Sequence, residues 1–184
     1  MKVLAISGSL RAGSYNTALA LAAKEVAPAN VDVELYRGLG DLPPFDADSD
    51  GVFELEAVDD LRRRIDSADA VFFVTPEYNG SIPGVLKNAI DWASRPHRDA
   101  ALTNKTVAIA GATPGQYGAM LAQQDLRRVL GIAGARVIPG EISVPRVRDV
   151  IDADGRLTNP VIAERLRNHL AALAEQSVPA RLAA

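Results

Sequence analysis

The 184-residue chain carries 48% hydrophobic and 23% charged residues at a formal net charge of −3, which suits a single domain able to bury a substantial core and stay soluble and argues against a general nucleic-acid-binding surface. It has no cysteine, which excludes disulfides, a thiolate nucleophile, Cys-ligated zinc and iron–sulfur clusters. Any redox chemistry therefore needs a borrowed cofactor, and the two histidines, His97 and His169, stand too far apart in sequence to suggest a metal site.

Taken in chain order, Val3–Ile6 lacks polar alternation and reads as a strand buried on both faces. Ala18, Leu19, Ala22 and Val26 then fall on one helical stripe that Pro28 ends. Val31–Tyr36 alternates apolar and polar residues, as a half-exposed edge strand does. Asp41–Asp46, with Pro43-Pro44-Phe45 at its centre, reads as a stiff loop that either covers a site or serves a subunit contact. A helix is expected over Phe53–Asp66, then the most apolar strand, Ala70–Thr75, at the centre of the sheet.

Pro83 and Gly84 open a third helix, with Val85, Leu86, Ala89, Ile90 and Ala93 on its buried side. Thr106–Ala110 is the fourth strand, Ala119–Leu130 the fourth helix and Arg136–Ile138 the fifth strand; Asn159-Pro160 starts the last helix. One domain is expected over 1–176, with a frayed tail over 177–184, and the short apolar start favours the cytoplasm over export. Five strands alternating with five helices imply a parallel sheet of order 2-1-3-4-5 covered on both faces, with the ligand outside the carboxyl ends of the strands. The loops after strands 1, 3 and 4 are where chemistry is expected.

The first of these, Ser7–Thr17, leads into a helix N-terminus, whose free N–H groups and partial positive charge suit an anion. Around it stand Ser9, Ser14, Thr17, the Asn16 amide and Arg11, whose planar fork matches phosphate oxygens. Gly8 and Gly13 have the spacing of a P-loop, but Ser14-Tyr15 follows where Lys-Ser/Thr is required, and Leu10 breaks the dinucleotide fingerprint. What remains is a pocket for one terminal phosphate, or a polar turn in which Ser14 or Asn16 merely caps the helix.

The second loop, Pro76–Gly84, is stiffened by prolines. It offers the Tyr78 ring, the Asn79 amide and a Gly80 able to take positive φ, which suits the edge of a planar heterocycle. Glu77 reads as a nucleophile or general base, or as a structural partner of Lys87 or of a neighbouring subunit. Trp92 is expected in core or interface packing. Arg95, His97 and Arg98 read either as a solvated charged loop or as a guide for an anionic dinucleotide.

Gly8-Ser9-Leu10-Arg11 with Ser14-Tyr15-Asn16, followed by the run from Pro76-Glu77-Tyr78-Asn79-Gly80 to Asp91-Trp92, resembles the NAD(P)H-dependent FMN reductase family, which includes bacterial quinone, azo-dye and chromate reductases. The resemblance implies a flavodoxin-like three-layer sandwich. It implies FMN as cofactor, NADPH or NADH as co-substrate, and ping-pong hydride transfer to quinones, azo or nitro compounds, chromate or free flavin. Ser9, Arg11, Ser14, Asn16 and Thr17 would hold the phosphate, and Pro76, Glu77, Tyr78, Asn79 and Gly80 would line the isoalloxazine.

Gly111, Thr113 and Gln116 fall in the third loop, whose match is looser because Ala112 stands where a small hydroxyl residue is common; its competing reading is a flexible glycine loop. No side chain is expected to do the chemistry, no metal is implied, and a homodimer or homotetramer with flavin near the interface is. The alternatives are a non-enzymatic flavodoxin-like electron carrier and a cofactor-free nucleoside-processing enzyme using Glu77.

Overall fold

The computed structural model describes residues 1–97 and 99–177. Strands β1 (Lys2–Ser7), β2 (Asp32–Tyr36), β3 (Ala70–Thr75) and β4 (Thr106–Ala112) alternate with helices α1 (Tyr15–Val26), α2 (Glu56–Ser67) and α3 (Gly84–Ala93). Helix α4 (Met120–Ile132), two short strands β5 (Arg136–Val137) and β6 (Ile142–Val144), and α5 (Pro160–Gln176) complete the chain. All pairings are parallel, in the order β2-β1-β3-β4-β5. This is the flavodoxin-like order expected from the alternation of strands and helices.

Central β3 is buried at all six positions, as its unbroken apolar run requires. Its alternate side chains enter two cores. Val71 and Phe73 join α2, α3 and α4 on one face, while Phe72 and Val74 join α1 and α5 on the other. Burying each phenylalanine contributes roughly 1.5–3 kcal/mol. Among the described residues no helix is long and apolar enough to cross a membrane.

The fifth strand departs from expectation. Only Arg136 and Val137 pair with the start of β4; the chain then breaks at Pro139-Gly140, with Gly140 at φ +79°, and rejoins β4 as β6 opposite Ala110–Ala112. The Arg127 guanidinium spans the break. Its Nε pairs with Glu141 at 2.6 Å, and one terminal nitrogen donates to the Ile138 and Gly140 carbonyls. The carbonyls that lose their ladder partners thus gain charge-assisted bonds.

Helix α2 begins at Glu56 rather than Phe53, because Ser49–Phe53 forms turns that leave Phe53 exposed. The expected tail is described only at Ser177, whose hydroxyl donates to the Leu173 carbonyl; 178–184 lie outside the described residues.

Candidate active site at the carboxyl rim

Parallel register brings three loops together at the carboxyl ends of the central strands: Ser7 lies opposite Val74, and Thr75 opposite Gly111. Neighbouring strands stand about 4.8 Å apart, so the loops after β1, β3 and β4 form one continuous rim.

In the first loop Ser14 caps α1, its Oγ accepting from the Thr17 N–H at 3.3 Å. Among the described residues the N–H groups of Tyr15 and Asn16, at the first turn of α1, have no internal partner. Arg11 is exposed beside them, its guanidinium 5.7 Å from the Tyr15 ring centroid. A Cβ added at Gly13 would meet no atom within 4 Å. Free helix N–H groups, the Ser9 and Ser14 hydroxyls and an exposed guanidinium are a donor set fitted to a phosphate monoester.

Of the five expected phosphate ligands four have other partners: Ser14 is the cap just described, the Ser9 Oγ accepts from the Arg11 N–H at 3.4 Å, and Asn16 and Thr17 are engaged with other elements. The Asn16 side chain is buried and bonded at both ends to one residue of β4: Nδ2 donates to the Ala112 carbonyl at 3.0 Å, and Oδ1 accepts from the Ala112 N–H at 2.9 Å. It ties the first loop to the third. The Thr17 hydroxyl lies 2.9 Å from that of Ser7 and ties α1 to the end of β1.

The second loop contains a two-residue hairpin. Tyr78 and Ser81 exchange backbone hydrogen bonds around Asn79 (φ +53°) and Gly80 (φ +77°), the Asn-Gly sequence that a type I′ turn demands. Tyr78 is 52% exposed, and the N–H groups of Glu77, Asn79 and Gly80 have no internal partner among the described residues. A rigid turn with outward donors beside an aromatic ring fits the polar edge of a planar heterocycle.

Glu77 does not pair with Lys87, which bonds Asp91 instead. Its Oε2 accepts from the N–H groups of Leu121 and Ala122 at 3.0 and 3.2 Å, at the start of α4. A carboxylate held this way is not placed as a nucleophile, which sets aside the nucleoside-processing reading.

The third loop is not a loose glycine turn. Thr113 bonds Val144 and Val147 through its backbone, and the Arg146 N–H donates to the Gly115 carbonyl, so the segment after β6 fastens it. A Cβ on Gly118 (φ +57°) would come within 2.7 Å of the Val144 nitrogen. Gly111 is buried within β4, where a Cβ would sit 2.7 Å from that of Ala119 and 2.9 Å from the Thr75 carbonyl; it backs the site rather than lining it. Gln116 is exposed at the tip.

Gln123 was not among the expected residues, yet its buried Nε2 donates to the Gly118 carbonyl and the Ser143 hydroxyl beneath this loop. A lone polar residue on the Leu126–Leu130 face of α4 was the available signal.

The charged segment after α3 lies at the other end of the molecule. A ten-residue helix spans about 15 Å and carries Arg95 and His97 away from the rim; Arg98 lies outside the described residues. The Pro43–Phe45 loop is pinned to the outside of α3, its Pro43 carbonyl accepting from Asn88 and from Trp92, which is 1% exposed.

The family described as NADPH-dependent FMN reductase matches residues 1–149. An NAD(P)H-dependent FMN reductase of Pseudomonas aeruginosa, PA1204, is 40% identical over 174 residues, covering 94% of this chain and 93% of its own. A 2-hydroxy-1,4-benzoquinone reductase from a Burkholderia species is 36% identical over 171 residues, covering 92% of this chain and 90% of its own. The solved structure of FerB, a flavoenzyme NAD(P)H:(acceptor) oxidoreductase from Paracoccus denitrificans, superposes with a TM-score of 0.86 at 35% identity, covering 95% of each chain.

Proposed function

The chain belongs to the NADPH-dependent FMN reductase family and is an FMN-dependent oxidoreductase using NAD(P)H, and from that premise we propose that it is a quinone reductase whose FMN lies across the three rim loops. The observation that carries this reading is the open first turn of α1, flanked by Ser9, Arg11 and Ser14 and facing the rigid Pro76–Gly80 turn on the neighbouring strand. The Tyr15 and Asn16 N–H groups, the two serine hydroxyls and the Arg11 guanidinium hold the phosphate. The backbone N–H groups of Glu77, Asn79 and Gly80 meet the ring edge, and Tyr78, Thr113 and Gln116 border it. Asn16, Thr17 and Gly111 act behind these groups, holding the loops in place.

When bound, FMN would supply the two-electron redox chemistry between the nicotinamide and an acceptor. The chain's part is to orient and to stabilise: outward backbone donors at the ring edge favour the negative charge that builds up there on reduction. Reductant and acceptor use the same open face in turn, a ping-pong cycle, in the cytoplasm where the dinucleotide is supplied. Quinones are the foremost acceptors, with azo and nitro compounds, chromate and free flavin as further ones. Met120, Leu121 and Ile132 expose apolar surface on α4 that suits a homodimer or homotetramer contact.

Anaerobic mixing of the FMN-loaded protein with NADH and with NADPH tests the reading. Flavin absorbance should bleach with at least one of them and return on adding a quinone. Protein that takes up no FMN, or whose FMN neither dinucleotide reduces, would overturn it.

A further inference from the structure

Helix α4 has no side chain of its own to close its first turn. Its N-cap residue, Ala119, offers only a methyl group and sits in the left-handed region at φ +62°. Two other helices are capped from within, Ser14 serving α1 and Asn159 serving α5, the latter accepting from the N–H groups of Val161 and Ile162, while α2 and α3 carry no side-chain cap. For α4 the same pair of N–H groups, those of Leu121 and Ala122, is satisfied by Glu77, more than forty residues upstream. A second tie lies on the other side of the same hairpin, where the Ser81 hydroxyl donates to Asp125 Oδ2 at 2.5 Å. Glu77 and Ser81 flank the Asn79-Gly80 tip, so the turn is held to α4 from both sides.

We propose that Glu77 is a positioning residue: by serving as the missing N-cap of α4, its carboxylate fixes where the outward N–H groups of the Pro76–Gly80 turn stand. The assignment rests on the FMN reading above. The carboxylate has no role in electron transfer. Its own backbone N–H is one of the turn's donors, so displacing the side chain displaces the donor with it.

The test separates positioning from simple helix capping. Glu77→Ala and Asn159→Ala each remove an acceptor serving two helix N–H groups, one at the rim and one remote from it. Thermal melts of the apoproteins should fall by similar amounts. FMN titrations should differ: Kd rises at least tenfold in Glu77→Ala, with an altered visible spectrum of the bound flavin, and stays within twofold of wild type in Asn159→Ala. Glu77→Gln keeps an oxygen acceptor and should fall between, at about threefold.

An unchanged Kd and spectrum in Glu77→Ala would overturn the proposal. If that variant does not fold, an unchanged Kd in Glu77→Gln would do so. Wild-type protein that binds no FMN would instead overturn the reading of the site itself.

Discussion

Helices α1 and α4 both begin at the carboxyl rim, on opposite faces of the sheet, and their first turns end in opposite ways. At α1 the cap is internal, and the N–H groups of Tyr15 and Asn16 are left free beside Arg11. At α4 the first-turn N–H groups are all taken: that of Met120 donates to the Tyr117 carbonyl, and those of Leu121 and Ala122 donate to a carboxylate belonging to the protein. Each helix N-terminus carries roughly half a positive charge and attracts an anion. Glu77 neutralises one of them, which on the proposed reading leaves α1 as the end that takes the FMN phosphate. In that reading the open end binds, and the filled end braces the turn beside it.

The largest test of this contrast concerns the frame behind the open end. Asn16→Ala leaves the Ala112 N–H and carbonyl buried without partners, each costing about 1–3 kcal/mol. Urea denaturation of the apoprotein should show a loss of roughly 2–6 kcal/mol. A loss under about 1 kcal/mol would mean that the amide is not what joins the first loop to the third.

Arg11→Ala should behave in the reverse manner. Arg11 is exposed, and among the described residues its guanidinium meets the Tyr15 ring alone, so apoprotein stability should hardly change. FMN affinity should fall by about 1.5–3 kcal/mol, the range for hydrogen bonds to a charged group. Equilibrium titration that finds the wild-type affinity would remove Arg11 from the phosphate cradle.

What could be read from the sequence follows the same division. Strand and helix order depends on local periodicity, and the free donors of the rim sit in continuous motifs, so both were accessible one segment at a time. Asn16 was legible as a polar residue at a helix start, but its partner lies in β4, 96 residues on, and nothing local marks that pairing. Glu77 was ambiguous for a like reason: the vacancy it fills is created by Ala119, an unremarkable residue until its left-handed backbone is seen. Strand β6 was missed because three residues after a Pro-Gly break carry too little pattern, and its pairing depends on Arg127 from another element.

The smallest expected effect lies at the braced end and depends on pH. The Ser81 hydroxyl, and secondarily Arg128, hold the Asp125 carboxyl below the usual carboxylate range. A group with a depressed folded pKa adds stability above its unfolded value and loses that stability as pH falls through the folded value. The Ser81–Asp125 tie should therefore hold down to about pH 4 and weaken as pH falls below it, loosening one side of the hairpin while Asn16 still holds the first loop. FMN retention measured over that range should fall more steeply in wild type than in Asp125→Asn, which has no charge at that position to lose. Because Asp125 lies near solvent the difference will be modest, and it should appear in the rate of flavin release before it appears in unfolding. Superimposable release curves would show that the hairpin is braced by Glu77 alone.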